Sequence, residues 1–512
     1  MSERQILRAE SGFSKYIKAK GVIETMSFFS FKFLIFLIIV FIIYYIIPKR
    51  LKNSWLLIAS YVFYASWNLK YSAVLLLITL ISYATALALP RMQKGRKWLL
   101  SLGIAISLVT LCVFKFWEFW MDGLRTMFGI SDPATGGIIS IAAPIGLSFF
   151  VLTAIGYMVD VYRGKYEPES NCIRYALFIS FFPNIMSGPI ERGSNLLKQI
   201  QSDISFEYDT VKHGLMLMLW GYFLKCLIAN RAAVIVDAAF GSYVEQTGFT
   251  MLFAVFLYGI QLYADFAGYS YIALGIAETF GYHLIVNFRQ PYFALDMKEF
   301  WSRWHISLST WLKDYVYIPL GGNRKGKVRQ YLNLFITFLV SGIWHGNGWT
   351  YMIWGCIHGL YQVLERLIYP LRKAFLDKSH IKTDCFSYRF FHAIPTFILV
   401  DFAWLFFRSP TAQDAVGIIK QIAGNFQFQS TVTKKLFLVG CDQRMLTILV
   451  VELLALLLVD LLHESNISIM GWLNRQNKLF RWILYLAGVL ILMIGMIHDY
   501  GLDASTFIYA RF

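Results

Sequence analysis

The sequence predicts an all-α polytopic membrane protein with about 11–12 membrane segments, some of them re-entrant or interfacial. Three observations predict it. Of the 512 residues, 57% are hydrophobic and 15% are charged, where a soluble domain carries about 25% charged residues. The apolar residues fall into blocks of roughly 15–22 residues, the length a helix needs to cross about 30 Å of hydrocarbon. Within each block they run continuously instead of alternating, which argues against a β-barrel. A soluble enzyme and a disordered or fibrous chain are excluded on the same grounds.

Residues 1–25 are polar and mixed in charge. They lack the apolar core and cleavage site of a signal peptide, and read as an extension ahead of a single membrane domain over 26–512. Segments follow at 28–47, 54–67, 72–89, 98–117 and 137–159. A short one at 174–190 carries Pro183 and Pro189, and 211–229, 250–283, 331–363, 390–407, 444–462 and 480–499 complete the series. The early loops alternate between many and few basic residues: Lys49, Arg50 and Lys52; Lys70; Arg91, Lys94, Arg96 and Lys97; Arg125; then Arg163, Lys165 and Arg174. This alternation puts the start of the first span outside the cytoplasm. Arg4, Arg8, Lys15, Lys18 and Lys20 oppose that orientation, so a start at Met26 fits it better. The longest stretch between spans, 408–443, holds a candidate interfacial helix around 412–422, with Ala415, Ile418, Ile419 and Ile422 on one side.

The net charge of +16 is assigned to cytoplasmic loops held against anionic lipid, not to nucleic-acid binding. Six scattered cysteines give no zinc spacing and no disulfide framework, and each reads as a small packed hydrophobe. No metal site is expected.

Two stretches carry the candidate chemistry. Residues 287–329 hold eight Lys or Arg among many aromatics, so they lie at the cytoplasmic face or fold back into the protein. The plainer reading of the same composition is an amphipathic interfacial helix. Gly321-x-x-x-x-Gly326-Lys327 imitates a phosphate loop but has Val328 where Ser or Thr belongs, and no strand precedes it. A basic glycine turn still suits the phosphates of a charged donor. The second stretch, SGIWHGNGWTYMIWGCIHG, sets His345 and His358 in an apolar run. Ionisable groups at membrane depth tend to line polar cavities, and Gly342, Gly346 and Gly348 let another chain or a ligand come close. His345 is therefore the candidate to face a reaction chamber, against the alternative of a hydrogen-bonded packing residue. His345 and His358 are 13 residues apart, about 220° on an unbroken helix, and need not share a site. His305, Asp314 and Tyr315 are further candidates, and the other histidines read as structural.

At these residues the sequence resembles the membrane-bound O-acyltransferase family, in its alginate, peptidoglycan and cellulose O-acetylation branch. The resemblance rests on Pro144-Ile-Gly-Leu-Ser-Phe-Phe, Asp160-Val-Tyr-Arg-Gly, Phe182-Pro, Ser187-Gly-Pro-Ile and Tyr263-Ala-Asp-Phe-Ala-Gly-Tyr-Ser. It continues through Asn287-Phe, Phe300-Trp-Ser-Arg-Trp-His-Ile-Ser-Leu-Ser, Tyr317-Ile-Pro-Leu-Gly-Gly-Asn-Arg-Lys-Gly, Ile343-Trp-His-Gly, Trp354-Gly, His358-Gly, Trp404-Leu-Phe-Phe-Arg and Phe507-Ile-Tyr. The extension 1–25 has no counterpart in the family pattern, and the terminal Tyr-Ala-Arg-Phe departs from it.

The resemblance implies helices tilted around a tunnel, with His345 as the essential catalytic residue and His305 assisting. It also implies a multi-pass protein of the bacterial plasma membrane. On this reading acetyl-CoA or an acyl carrier thioester is the donor substrate, and no cofactor is permanently bound. Asn287, Arg303, Asp314, Tyr315, Asn323, Arg324, Lys325 and Lys327 bind the donor, and His358, Trp344 and Trp304 line the tunnel. The acceptor is an extracytoplasmic polysaccharide, reached directly or through a separate SGNH-type partner chain. The alternatives are a D-alanyl transferase of teichoic acid synthesis using a carrier protein, and a transporter without covalent chemistry. The latter predicts inverted repeats, and none is evident.

Overall fold

The structure, a computed structural model, describes residues 26–117, 143–428 and 442–498, with Met121 and Met127 besides. The extension 1–25, Arg125, the start of the segment at 137, Cys441 and the terminal Phe507-Ile-Tyr lie outside the described residues. Every regular element among the described residues is a helix. Among the described residues, six helices are long and apolar enough to cross a bilayer: Leu69–Arg91, Arg96–Lys115, Gly248–Thr279, Phe386–Arg408, Gln443–Glu464 and Lys478–Met496. Two shorter apolar helices, Phe31–Ile46 and Leu147–Tyr162, join them. The chain is an all-α, multi-pass membrane protein.

In chain order, α1 is Phe31–Ile46, α2 Lys49–Ala65, α3 Leu69–Ala88, α4 Arg96–Lys115, α5 Leu147–Tyr162 and α6 Cys172–Ser180. α7 (Tyr208–Tyr222) runs through a π-helical stretch, Phe223–Ala229, into α8 (Asn230–Gly241). The segment predicted at 174–190 is helical only to Ser180. Beyond it the chain is irregular, and residues 181–191 are buried throughout. Irregular backbone is tolerated at membrane depth where protein covers it. Here side chains from elsewhere supply the missing bonds: Ser60 Oγ accepts from the Phe182 amide at 3.1 Å, and Ser307 Oγ from the Ile190 amide at 3.0 Å.

α9 (Gly248–Thr279) is buried on nearly every side. It lies against α7 through two glycine contacts spaced seven residues apart on each helix. A Cβ on Gly221 would stand 2.6 Å from the Gly268 carbonyl oxygen, and one on Gly275 would stand 2.4 Å from that of Gly214. Small residues at such a seam let membrane helices approach to backbone contact. Next to it, the Lys225 ammonium meets the Asp265 carboxylate at 2.5 Å, both buried, and Arg231 pairs with Glu452. Charges this deep persist only when paired.

Basic residues of several of these loops contact neighbouring segments. Lys49 contacts Asp203 at 3.4 Å, Lys52 donates to the Ile204 carbonyl at 2.8 Å, Arg96 donates to that of Tyr162 at 3.5 Å and Arg163 to that of Asp314 at 3.1 Å. The loop carrying Lys70 sits with other partners, Trp67 donating to the Met26 carbonyl at 3.2 Å.

The candidate interfacial helix is real but packs differently. The helix Ala412–Gly424 buries Ala415 and Ile418 completely against the protein, and the Asn425 carbonyl accepts from the Gly248 amide at 2.7 Å. Its apolar side therefore meets α9 and not lipid. The cysteines also differ from expectation: Cys226 is buried, whereas Cys112 and Cys172 are exposed.

Candidate active site

The basic segment folds back into the protein as two short helices, α10 (Met297–Arg303) and α11 (Ile306–Leu312), and a π-helical turn, Lys313–Tyr317. Asp296 caps α10 by accepting from the Glu299 amide at 2.7 Å. Trp301, Trp304, His305, Leu308 and Trp311 are all buried, so the aromatics drive this stretch inward and it does not lie in the interface. Between the helices His305 holds φ 44° and ψ 53°, a left-handed conformation that a side chain adopts rarely. Asn287 braces that turn. Its carbonyl accepts from the Ile306 amide at 3.0 Å and its Oδ1 from the Ser307 amide at 3.2 Å, while its Nδ2 donates to Ser270 Oγ at 3.1 Å.

The segment predicted at 331–363 is two helices, α12 (Lys327–His345) and α13 (Trp349–Lys378), broken at Gly346-Asn347-Gly348. Their backbones touch where a Cβ on Gly342 would stand 2.4 Å from the Tyr351 carbonyl oxygen and one on Gly355 2.6 Å from that of Phe338. The break cancels the angular separation an unbroken helix would impose. His345, ending α12, and His358, inside α13, both face Trp354, with ring centroids 5.0 and 4.9 Å from it. On its other side His345 lies 4.8 Å from Trp344, and Trp344 lies 6.1 Å from His305. The result is a row of five buried rings: His305, Trp344, His345, Trp354, His358. Phe407 closes on His345 at 5.3 Å and Phe266 on His305 at 4.6 Å. Lys115, the last residue of α4, donates to the Trp344 carbonyl, and its ammonium stands 5.3 Å from the Trp344 ring. Nothing in the sequence marks a lysine at the end of an apolar helix as part of this corner.

A cavity of about 650 Å³ opens beside the row. Its cations are Lys298, Lys313, Arg324 and Arg366, and the Gly321-Gly322 turn with Asn323 forms its rim. Trp301, Phe338 and Ser341 line its inner wall. The Trp301 indole donates to His358 Nδ1 at 3.4 Å, and Phe338 stacks on the His358 ring at 6.2 Å. The wall thus touches the His358 end of the row, and Ser341 lies one helical turn before His345.

Of the eight residues expected to bind a donor, Asn323 and Arg324 line this cavity. Lys325, on the loop next to it, and Lys327, the first residue of α12, are exposed. The other four are placed elsewhere, because each short helix turns neighbouring residues in different directions. Arg303 is committed to Glu464 and Glu299, both at 2.6 Å. Asp314 accepts from Arg192 at 3.4 Å, and the Tyr315 ring lies 4.5 Å under the same guanidinium. Asn287 supports the His305 turn. Of the expected tunnel-lining residues, His358 and Trp344 belong to the ring row. Trp304 packs 5.1 Å from Trp404 and 5.5 Å from Phe300, inside the aromatic core. Among the remaining histidines, His213 pairs with Glu278 at 2.5 Å and His392 with the Tyr388 carbonyl at 2.9 Å, in keeping with structural roles.

The membrane-bound O-acyltransferase family profile matches residues 168–398, which include every ring of this row. The chain is 38% identical to the probable alginate O-acetylase of Pseudomonas putida over 392 residues, 75% of this chain and 77% of that one. It is 30% identical to the peptidoglycan O-acetyltransferase of Helicobacter pylori over 524 aligned residues, 93% of this chain and 95% of the other.

The chain belongs to the membrane-bound O-acyltransferase family. It is an acyltransferase of the bacterial membrane. The teichoic acid D-alanyltransferase of Streptococcus thermophilus is a more distant member, 27% identical over 54% of this chain and 66% of its own length. In this acyltransferase the segments Trp344-His345-Gly346 and Arg303-Trp304-His305, whose histidines are 40 residues apart in sequence, meet across a single indole, that of Trp344.

Proposed function

We propose that this acyltransferase takes an acetyl group from a cytoplasmic thioester and delivers it to a hydroxyl of an extracytoplasmic polysaccharide, directly or through an SGNH-type partner chain. The observation that carries the reading is the ring row. It runs from His305 through His345 to His358, and the His358 ring touches Trp301 and Phe338 in the wall of a cation-rimmed cavity. The O-acetylating relatives align over more of their length than the D-alanylating one, which favours acetyl-CoA over a charged carrier protein.

The donor's phosphates rest on Arg324, Lys298 and Arg366 and its thioester arm follows the wall formed by Trp301 and Phe338. His345 accepts the proton of the acceptor hydroxyl, and the hydroxyl oxygen attacks the thioester carbonyl carbon. His305 donates to the oxyanion that forms. Collapse of the tetrahedral intermediate breaks the carbon–sulfur bond, and the proton held by His345 passes to the departing thiolate. General-base assistance of this kind contributes about 10²–10⁴ in rate.

The test uses membranes or proteoliposomes of the full chain, any partner chain, the acceptor and radiolabelled acetyl-CoA on the cytoplasmic side. Label should reach the acceptor with the parental protein and fall to background with His345→Ala, while the variant accumulates in the membrane at parental level. Transfer by that variant overturns the assignment. Transfer from D-alanyl carrier protein but not from acetyl-CoA replaces the donor.

A further inference from the structure

A second cavity lies on the basic face and shares no lining residue with the one beside His358. It encloses about 450 Å³ between the α1–α2 turn, the start of α6 and residues 200–204. Lys49, Arg50, Lys52 and Arg174 line it, and Asp203 is its single carboxylate. The nearby Glu169 is already used, accepting from the Asn171 amide at 2.8 Å and from Gln201 at 2.7 Å.

Lys52 is the informative member. It is 9% exposed. Its ammonium stands 4.5 Å from the Tyr44 ring and 5.1 Å from that of Tyr45, and it donates once, to the Ile204 carbonyl at 2.8 Å. An ammonium carries three donors, so two remain for whatever occupies the cavity. The N-terminus of α2 adds to this. Its cap is Pro48, no side chain accepts from its first turn, and no acid lies there. Holding a lysine this far from water, beside three further cations, one carboxylate and an uncapped helix start, is costly unless a further anion compensates it.

The position says where such an anion comes from. Ile46 and Leu51 flank the cations and are 77% and 48% exposed, so the cavity opens where apolar surface gives way to the basic face. That is headgroup depth. Basic pockets between helices on the cytoplasmic side suit lipid phosphates.

We propose that this cavity binds the phosphate of an anionic glycerophospholipid of the inner leaflet, separately from the acyl donor. The phosphate sits against Lys52 and the first turn of α2, with Arg50 and Arg174 on either side, and the lipid chains run along Ile46 and Leu51.

The experiment is lipid occupancy of the full-length protein by native mass spectrometry, paired with thermal melting in detergent. The probes are phosphatidylglycerol, phosphatidylcholine and inorganic phosphate. Phosphatidylglycerol should bind and raise the melting midpoint, and phosphatidylcholine should not. Arg50→Gln/Arg174→Gln changes only partly or fully exposed side chains and should weaken phosphatidylglycerol binding by about tenfold or more. Asp203→Asn should tighten it. Inorganic phosphate giving the full stabilisation by itself would keep the phosphate site but assign it to a soluble ligand. Equal phosphatidylglycerol binding by the parental protein and the double variant would overturn the site.

Discussion

The two family histidines are held in opposite ways. His345 ends a 19-residue helix, and its position is fixed by backbone contact between α12 and α13 at Gly342 and Gly355. His305 opens a seven-residue helix, in a left-handed conformation, and its turn is braced locally by the carbonyl and side chain of Asn287. A long helix transmits its register over many turns, whereas a two-turn helix has too few bonds of its own to hold a strained entry. One histidine therefore rests on a seam between two long helices and the other on a short local turn, and the two should fail differently.

The largest effect is expected at the seam-held ring. His345→Gln keeps the bulk and a polar end but no general base, and should lower the acetyl-transfer rate by about 10²–10⁴ at unchanged protein level. His305→Ala should cost less, about 10²–10³, because one oxyanion donor is lost while the base remains. Steady-state rates on the two variants break the comparison if their order reverses.

Asn287→Ala sharpens it. The Ser307 amide loses its acceptor in a buried site, a loss of about 1–3 kcal/mol. Both the melting midpoint and the rate should fall. A lower midpoint with a parental rate would separate the His305 turn from catalysis.

Gly346→Ala probes the other side. A Cβ there would stand 2.2 Å from the Tyr351 ring, and overpacking of that kind costs about 1–3 kcal/mol. Its backbone is extended, so the strain is steric, and Tyr351→Ala in the same chain should restore much of the lost stability. Absence of rescue would place the cause elsewhere. The smallest effect belongs to the cavity rim: Arg324→Gln should raise the KM for acetyl-CoA several-fold, more at low salt than at high, with kcat nearly unchanged. A change in kcat alone would remove Arg324 from donor binding.

How much of this was legible follows from the same contrast. The span lengths, the basic face and the candidacy of His345 and His305 were readable, because apolar runs and charge alternation are properties of local composition. The seam was signalled by Gly342 and Gly346 beside His345. The lining of the cavity was less legible. Arg303, Asp314, Tyr315 and Asn287 sit in the same basic stretch as Asn323 and Arg324, yet α10, α11 and the π turn send them to ion pairs, a cation–aromatic cluster and the His305 brace. Lys298, Trp301 and Arg366 line the cavity without any motif that names them.

By itself, the sequence determined that the chain crosses a membrane, which loops face the basic side, and which histidines are too costly to bury without purpose. Hydrophobicity and charge act residue by residue and need no knowledge of neighbours in space. Only the tertiary structure decided that His305, His345 and His358 stand in one row, since that depends on a helix break at Gly346 and on a strained turn held by a residue 18 positions away. Contacts between distant segments are set by how backbones pack, and packing is not written in any local pattern.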